Sequence, residues 1–217
     1  MITTLYLTYI FLGIALLSSF TLYFQPIQQI YLKLFPFFLF SIGILSAIIG
    51  YLFFKGKSNV FFYNIYTTLE FCFYFFVMSQ IILNRKIKRI IYFFLYAYPI
   101  VEIVNIFFIQ KTTTFTNVTY SIGCLLIVLS SIWYFFELFQ LSYTINLLTD
   151  SNFWVCSGLM FYYVCNFPIF SLLNFLKTPS TIIVINVTII TNILDVLLYT
   201  SFTIAFLCRL KIRKSMQ

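Results

Sequence analysis

The stretch VFFYNIYTTLEFCFYFFVMSQIIL (residues 60–83) carries one charged side chain, Glu70, in its whole length. A helix needs roughly 20 mostly apolar residues to cross about 30 Å of hydrocarbon, and this run supplies them. Isolated strands fail there because their edges leave backbone groups unsatisfied in lipid. Barrel strands would read as short alternating segments, whereas this run is long and continuous. A transmembrane helix is therefore expected, with Glu70 in its driest part.

The rest of the chain repeats the pattern. Its 217 residues are 62% hydrophobic and 8% charged, against about 25% charged residues in soluble domains. Too little polar surface is available to cover such a chain in water. Seven apolar stretches are long enough to span: about 3–24, 33–54, 60–83, 88–110, 115–139, 153–174 and 181–208. Short links such as KGKSN and NRKIKR punctuate them. The expected fold is all-α, a polytopic bundle of seven transmembrane helices forming one domain over 1–217, with no soluble domain. The first stretch lacks the basic region and cleavage site of a signal peptide, so it is read as a retained helix.

The formal charge of +8 does not point to nucleic acid, because no basic face with base-stacking geometry exists. The basic residues instead sit between the apolar runs. Lys33, Arg85, Lys86, Lys88, Arg89, Arg209, Lys211, Arg213 and Lys214 fall on one side; Lys55, Lys57, Lys111 and Lys177 fall on the other. The positive-inside rule predicts a cytoplasmic C-terminus and an outer N-terminus, in a cell membrane. Trp133, Tyr143 and Trp154 lie near span ends, where aromatic residues anchor helices at the interface.

Catalytic chemistry is constrained by what is missing. The chain has no His, which excludes Ser-His and Cys-His nucleophiles and imidazole zinc ligands. Cys72, Cys124, Cys156, Cys165 and Cys208 all lie in apolar runs without a CxxC pair, where Cys packs as a small apolar residue. No cofactor and no metal centre is expected. An intramembrane hydrolase using two carboxylates would need both within reach of one water, and no motif fixes that geometry.

Five acids remain. Glu137 and Asp150 lie near the basic side and read as solvated. Counting ~1.5 Å per residue from the predicted outer ends puts Glu102 ~12 Å, Glu70 ~15 Å and Asp195 ~21 Å deep, all in the middle band of the membrane. Each sits on a polar stripe at helical spacing: Tyr63, Tyr66, Thr67, Glu70 and Tyr74 in span 3, and Tyr98, Glu102 and Asn105 in span 4 around Pro99. Thr188, Asn192, Asp195, Tyr199 and Thr203 form a third stripe in span 7, while Tyr162 and Asn166 precede Pro168 in span 6. Polar faces turn away from lipid, since a central Asp costs roughly 2.5–3.5 kcal/mol on insertion scales. Spans 3, 4, 6 and 7 are thus expected to enclose a shared polar interior. No Lys or Arg lies within the middle of any span. The acids are then protonated, open to a water-filled cleft, or awaiting a cation. The bland alternative is that they glue helices together, at an average of ~0.6 kcal/mol per contact.

The segments YNIYTTLEF (63–71), FWVCSGLMFYYVCNF (153–167) and LLYTSFTIAFLC (197–208) resemble those of small bacterial seven-helix membrane proteins, a resemblance that implies a bacterial cytoplasmic membrane as the expected location. The layout also resembles seven-helix sensor modules that precede kinase or cyclase domains. Here the chain ends nine residues after its last span, so signalling is expected to need a separate cytoplasmic partner. Microbial rhodopsins share the direction but need a Lys in the last helix for a Schiff base, and span 7 has none. Some sugar transporters of this size are built as three plus one plus three helices. Spans 1–3 and 5–7 do not align as such a repeat. A sensor or receptor-like module with a small or cationic ligand is the expected function. A proton-coupled carrier and a structural membrane subunit are the alternatives. The candidate site residues are Glu70, Glu102, Asp195, Asn105, Asn166, Asn192, Tyr66, Tyr98, Tyr162 and Tyr199. Gly43 and Ala47 offer small-xxx-small spacing for one close helix contact.

Overall fold

The computed structural model describes residues 2–24, 29–109, 114–140, 146–173 and 181–215, with side chains over 6–24, 29–109, 114–140, 146–172 and 182–208. Lys111, Tyr143, Lys177 and the side chains of the basic tail lie outside these residues.

Seven long helices account for the described chain: α1 (Ile2–Ser19), α2 (Ile30–Phe54), α3 (Val60–Ile81), α4 (Arg85–Val104), α5 (Asn117–Phe139), α6 (Ser151–Leu173) and α7 (Thr181–Ser215). A 3-10 turn, Phe20–Phe24, extends α1, and a π-helical turn, Asn105–Ile109, extends α4. All seven are long and apolar enough to cross a membrane. The expected spans are recovered to within a few residues, except that α7 runs on through Ser215. No Pro or Gly interrupts its basic tail, and Lys and Arg are good helix formers that suit a helix C-terminus.

Local chemistry sets the helix ends. Gly56 adopts φ +63° just past α2, and its N–H donates to Phe53 O at 3.0 Å while Lys57 N–H donates to Leu52 O at 3.0 Å. This is a Schellman closure, for which glycine is the favoured residue. Asn84 opens α4, its side-chain oxygen accepting from the N–H groups of Lys86 (2.9 Å) and Ile87 (3.4 Å).

The helices close into a ring. α1 packs on α2 and α7, α2 on α3, α3 on α5, α5 on α6, and α6 on α7. α4 lies outside, against α3 with an edge on α5; of its α-helical side chains only Ile91, Tyr98 and Glu102 are buried. Among the described residues neither α1 with α3 nor α5 with α7 packs as a helix pair, so the two triplets share one ring rather than forming two bundles.

The ring is inverted relative to a soluble protein. Large apolar side chains cover its outside, including Phe24 and Phe108 at 81% and 82% exposure, while Asn64, Asn166, Glu70 and Glu102 are buried. Soluble monomers rarely carry such continuous apolar surface. This is the architecture of a multi-pass membrane protein.

Aromatic rings fill the centre. Phe35 of α2 meets Phe202 and Phe206 of α7 edge-on at 5.2 Å, and Phe38 stacks on Phe73 at 3.9 Å. Tyr74 contacts both Tyr163 and Phe202. Offset and edge-to-face pairs are each worth about 0.5–1.5 kcal/mol beyond their burial, which matters in lipid, where packing replaces the hydrophobic drive between helices.

The close helix approaches are not where Gly43 and Ala47 suggest. Ala47 is exposed, and a Cβ on Gly43 would make only ordinary contact with Leu12. The tight crossings are Gly123 of α5 under the Phe71 ring and Gly158 of α6 against Ser201 of α7. A Cβ at these positions would come within 2.8 Å and 2.7 Å of those side chains.

Candidate functional site

The polar stripes of three helices converge on one cavity of about 30 Å³. α3 contributes Tyr63, Tyr66, Thr67 and Glu70; α6 contributes Tyr162 and Phe170; α7 contributes Thr191 and Asp195. α5 supplies Tyr120, a residue the sequence did not single out. The expected contribution of span 4 is corrected: none of the lining residues comes from α4. The reason is the ring order, which leaves α4 outside and puts α5 between α3 and α6.

Glu70 is 4% exposed and accepts a hydrogen bond at Oε1 from the Tyr74 hydroxyl, one turn along α3, at 3.3 Å. The Tyr162 hydroxyl is hydrogen-bonded to Asp195. Tyr66 and Tyr199 are hydrogen-bonded to each other across α3 and α7. Two carboxylates from different helices therefore share one space, each held by a phenol. Asn166 lies one turn from Tyr162 on the same face of α6; its Nδ2 donates to Tyr162 O at 3.0 Å, and its Oδ1 is buried without a hydrogen-bond partner. Asn192 precedes Asp195 by a turn and is buried toward α1, its backbone carbonyl accepting from Thr8 Oγ1 at 3.3 Å.

Glu102, Asn105 and Tyr98 belong to a second, separate cluster. The Thr116 hydroxyl donates to Glu102 Oε1, and Asn105 Nδ2 donates to Thr119 Oγ1. The Tyr98 hydroxyl donates to Thr119 O at 3.4 Å. Asn64 of α3 joins in, accepting at Oδ1 from Thr116 N–H (3.4 Å) and donating to Thr114 O (3.2 Å). This network pins the π-turn after α4 to the start of α5. Glu102 Oε2 is buried without a partner.

Glu137 and Asp150 do more than the solvated role expected of them. Glu137 accepts from the backbone N–H groups of Leu83 (2.8 Å) and Asn84 (3.0 Å) and from the Trp133 indole (2.8 Å). Asp150 caps the start of α6 through Asn152 N–H at 3.0 Å and accepts from the Tyr134 hydroxyl at 3.3 Å. The indole of Trp154 donates to Leu148 O at 3.1 Å. Nothing in residue spacing announces the Glu137 contacts, since its backbone partners lie more than fifty residues away.

All five cysteines are free. Among the described residues no group of three or more His, Cys, Asp or Glu is placed to hold a metal ion. No protein-family model, curated protein or solved structure matches this chain.

Proposed function

We propose that the chain is a sensor-like membrane module. A small or cationic ligand occupies the Glu70–Asp195 cavity, and the change in helix packing is passed to a separate partner at the other end of the bundle. The carrying observation is that two carboxylates line one cavity while no basic residue lies within the middle of any span. Unpaired buried charge is expensive, and intramembrane acids are functional candidates by default. By the positive-inside rule, the distribution of Lys and Arg supports an outer N-terminus and a cytoplasmic basic cluster of Arg85, Lys86, Lys88 and Arg89, where a partner would dock.

Transport is the second reading. Midplane acids and Pro168 within the cavity-lining helix α6 favour it, since a proline weakens the helix beside a central site and such helices suit alternating access. Weighing toward a receptor is the packed interior beyond Glu70. Tyr74, Tyr163, Phe202 and Phe206 are fully or almost fully buried there, closing the cavity toward the basic end. The two readings separate in liposomes. A receptor leaves substrate and proton flux at the level of empty vesicles, and a cytoplasmic protein crosslinks to the Arg85–Arg89 segment in cells. Flux that Glu70→Gln abolishes would overturn the receptor in favour of a carrier.

A further inference from the structure

The lining of the cavity restricts what can occupy it. Every polar side-chain atom there is oxygen: the carboxylates of Glu70 and Asp195 and the hydroxyls of Tyr63, Tyr66, Thr67, Tyr120, Tyr162 and Thr191. Several of the hydroxyl protons are already spent. Thr67 Oγ1 donates to Asn64 O at 3.1 Å, Thr191 Oγ1 to Val187 O at 3.0 Å, and the Tyr162 hydroxyl is taken by Asp195. A hydroxyl that donates elsewhere presents only lone pairs to the cavity. At Glu70, whose carboxylate lines the cavity, the hydrogen bond from Tyr74 goes to Oε1. The site is rich in acceptors and poor in donors, which suits a cation and disfavours an anion or a sugar.

Size narrows the class. A volume of about 30 Å³ holds roughly two water-sized spheres, enough for a bare ion with a water. Oxygen-only donors select hard cations, while softer transition metals favour imidazole and thiolate. With two carboxylates and neutral oxygens, affinity is modest, because binding strength rises with the number of charged ligands. Modest affinity is what a reversible sensor needs.

We infer that the Glu70–Asp195 cavity holds a single hard metal cation, an alkali or alkaline-earth ion. This rests on the cavity being the ligand site of the proposed module. The test uses the full chain in detergent, exchanged into choline chloride and titrated at constant ionic strength with Na⁺, K⁺, Mg²⁺, Ca²⁺ or butylammonium. Melting temperature and equilibrium dialysis with radioactive Na⁺ or Ca²⁺ are read together. Saturable stabilisation by an inorganic ion is expected, with one ion bound per chain. Binding weakens about tenfold or more in Glu70→Gln and in Asp195→Asn, and is kept in Asp150→Asn at the far end. Should a carboxylate variant fail to fold, Thr191→Val, which removes one lining oxygen at constant shape, weakens the same binding. Stabilisation of wild type by butylammonium alone overturns the metal and leaves the ligand site standing. If neither class of cation binds, and the variants are merely less stable, both the metal and the ligand site fall.

Discussion

Replacing Glu137 by alanine probes how the cavity-bearing helices are joined at the basic end. Its carboxylate ties α5, which carries Tyr120, to the turn between α3, which carries Glu70, and α4, which carries the basic cluster. The bonds run to Leu83 N–H at 2.8 Å, Asn84 N–H at 3.0 Å and the Trp133 indole at 2.8 Å. A hydrogen bond to a charged group contributes ~1.5–3 kcal/mol. Leu83 and Asn84 are exposed and Glu137 is half-buried, so water takes over much of the loss. A net destabilisation of ~1–3 kcal/mol is expected for Glu137→Ala. Glu137→Gln keeps one carbonyl oxygen and costs about half as much. The assay is equilibrium denaturation in mixed micelles, with amide hydrogen exchange at Leu83 and Asn84 as the local readout. If ~2 kcal/mol is lost from local opening, those two amides exchange about thirtyfold faster. A stability change under ~0.5 kcal/mol together with unchanged exchange at both amides refutes the clamp.

Gly158→Leu drives a side chain into Ser201, where even a Cβ would sit 2.7 Å away. Destabilisation by ~1–3 kcal/mol is expected, measured in the same micelles, and Gly13→Ala, with open space around it, serves as the tolerated control. Tyr74→Phe removes the donor to Glu70 Oε1 at 3.3 Å and is expected to lower stability by ~1 kcal/mol; a second substitution, Glu70→Gln, in a double-mutant cycle shows whether the two residues are coupled. Asn84→Ala deletes the cap of α4 and costs ~1 kcal/mol, seen as faster amide exchange at Lys86 and Ile87.

Seven spans are legible in the sequence because membrane helices declare themselves by local hydropathy, which needs no knowledge of neighbours. The polar stripes are legible for the same reason: helical spacing puts Tyr63, Tyr66, Thr67 and Glu70 on one face whatever that face meets. Glu70, Asp195 and Tyr162 are accordingly found together, and Tyr66 and Tyr199 bridge α3 and α7.

What spacing leaves open is how each helix is turned relative to the others, and that depends on side-chain fit between distant segments. Gly123 admits the Phe71 ring and Gly158 admits Ser201, so α5 and α6 are set against α3 and α7, and Tyr120 enters the cavity. The same ring order puts α4 outside and diverts Glu102 and Asn105 into a network with Thr116 and Thr119. Glu137 reads as a solvated acid until folding brings the N–H groups of Leu83 and Asn84 to it. The membrane-length helices and their polar faces were thus determined by the sequence alone, through local hydrophobicity and helical period. Which acids share a space was decided by the tertiary structure, because only packing between distant helices sets their relative rotation.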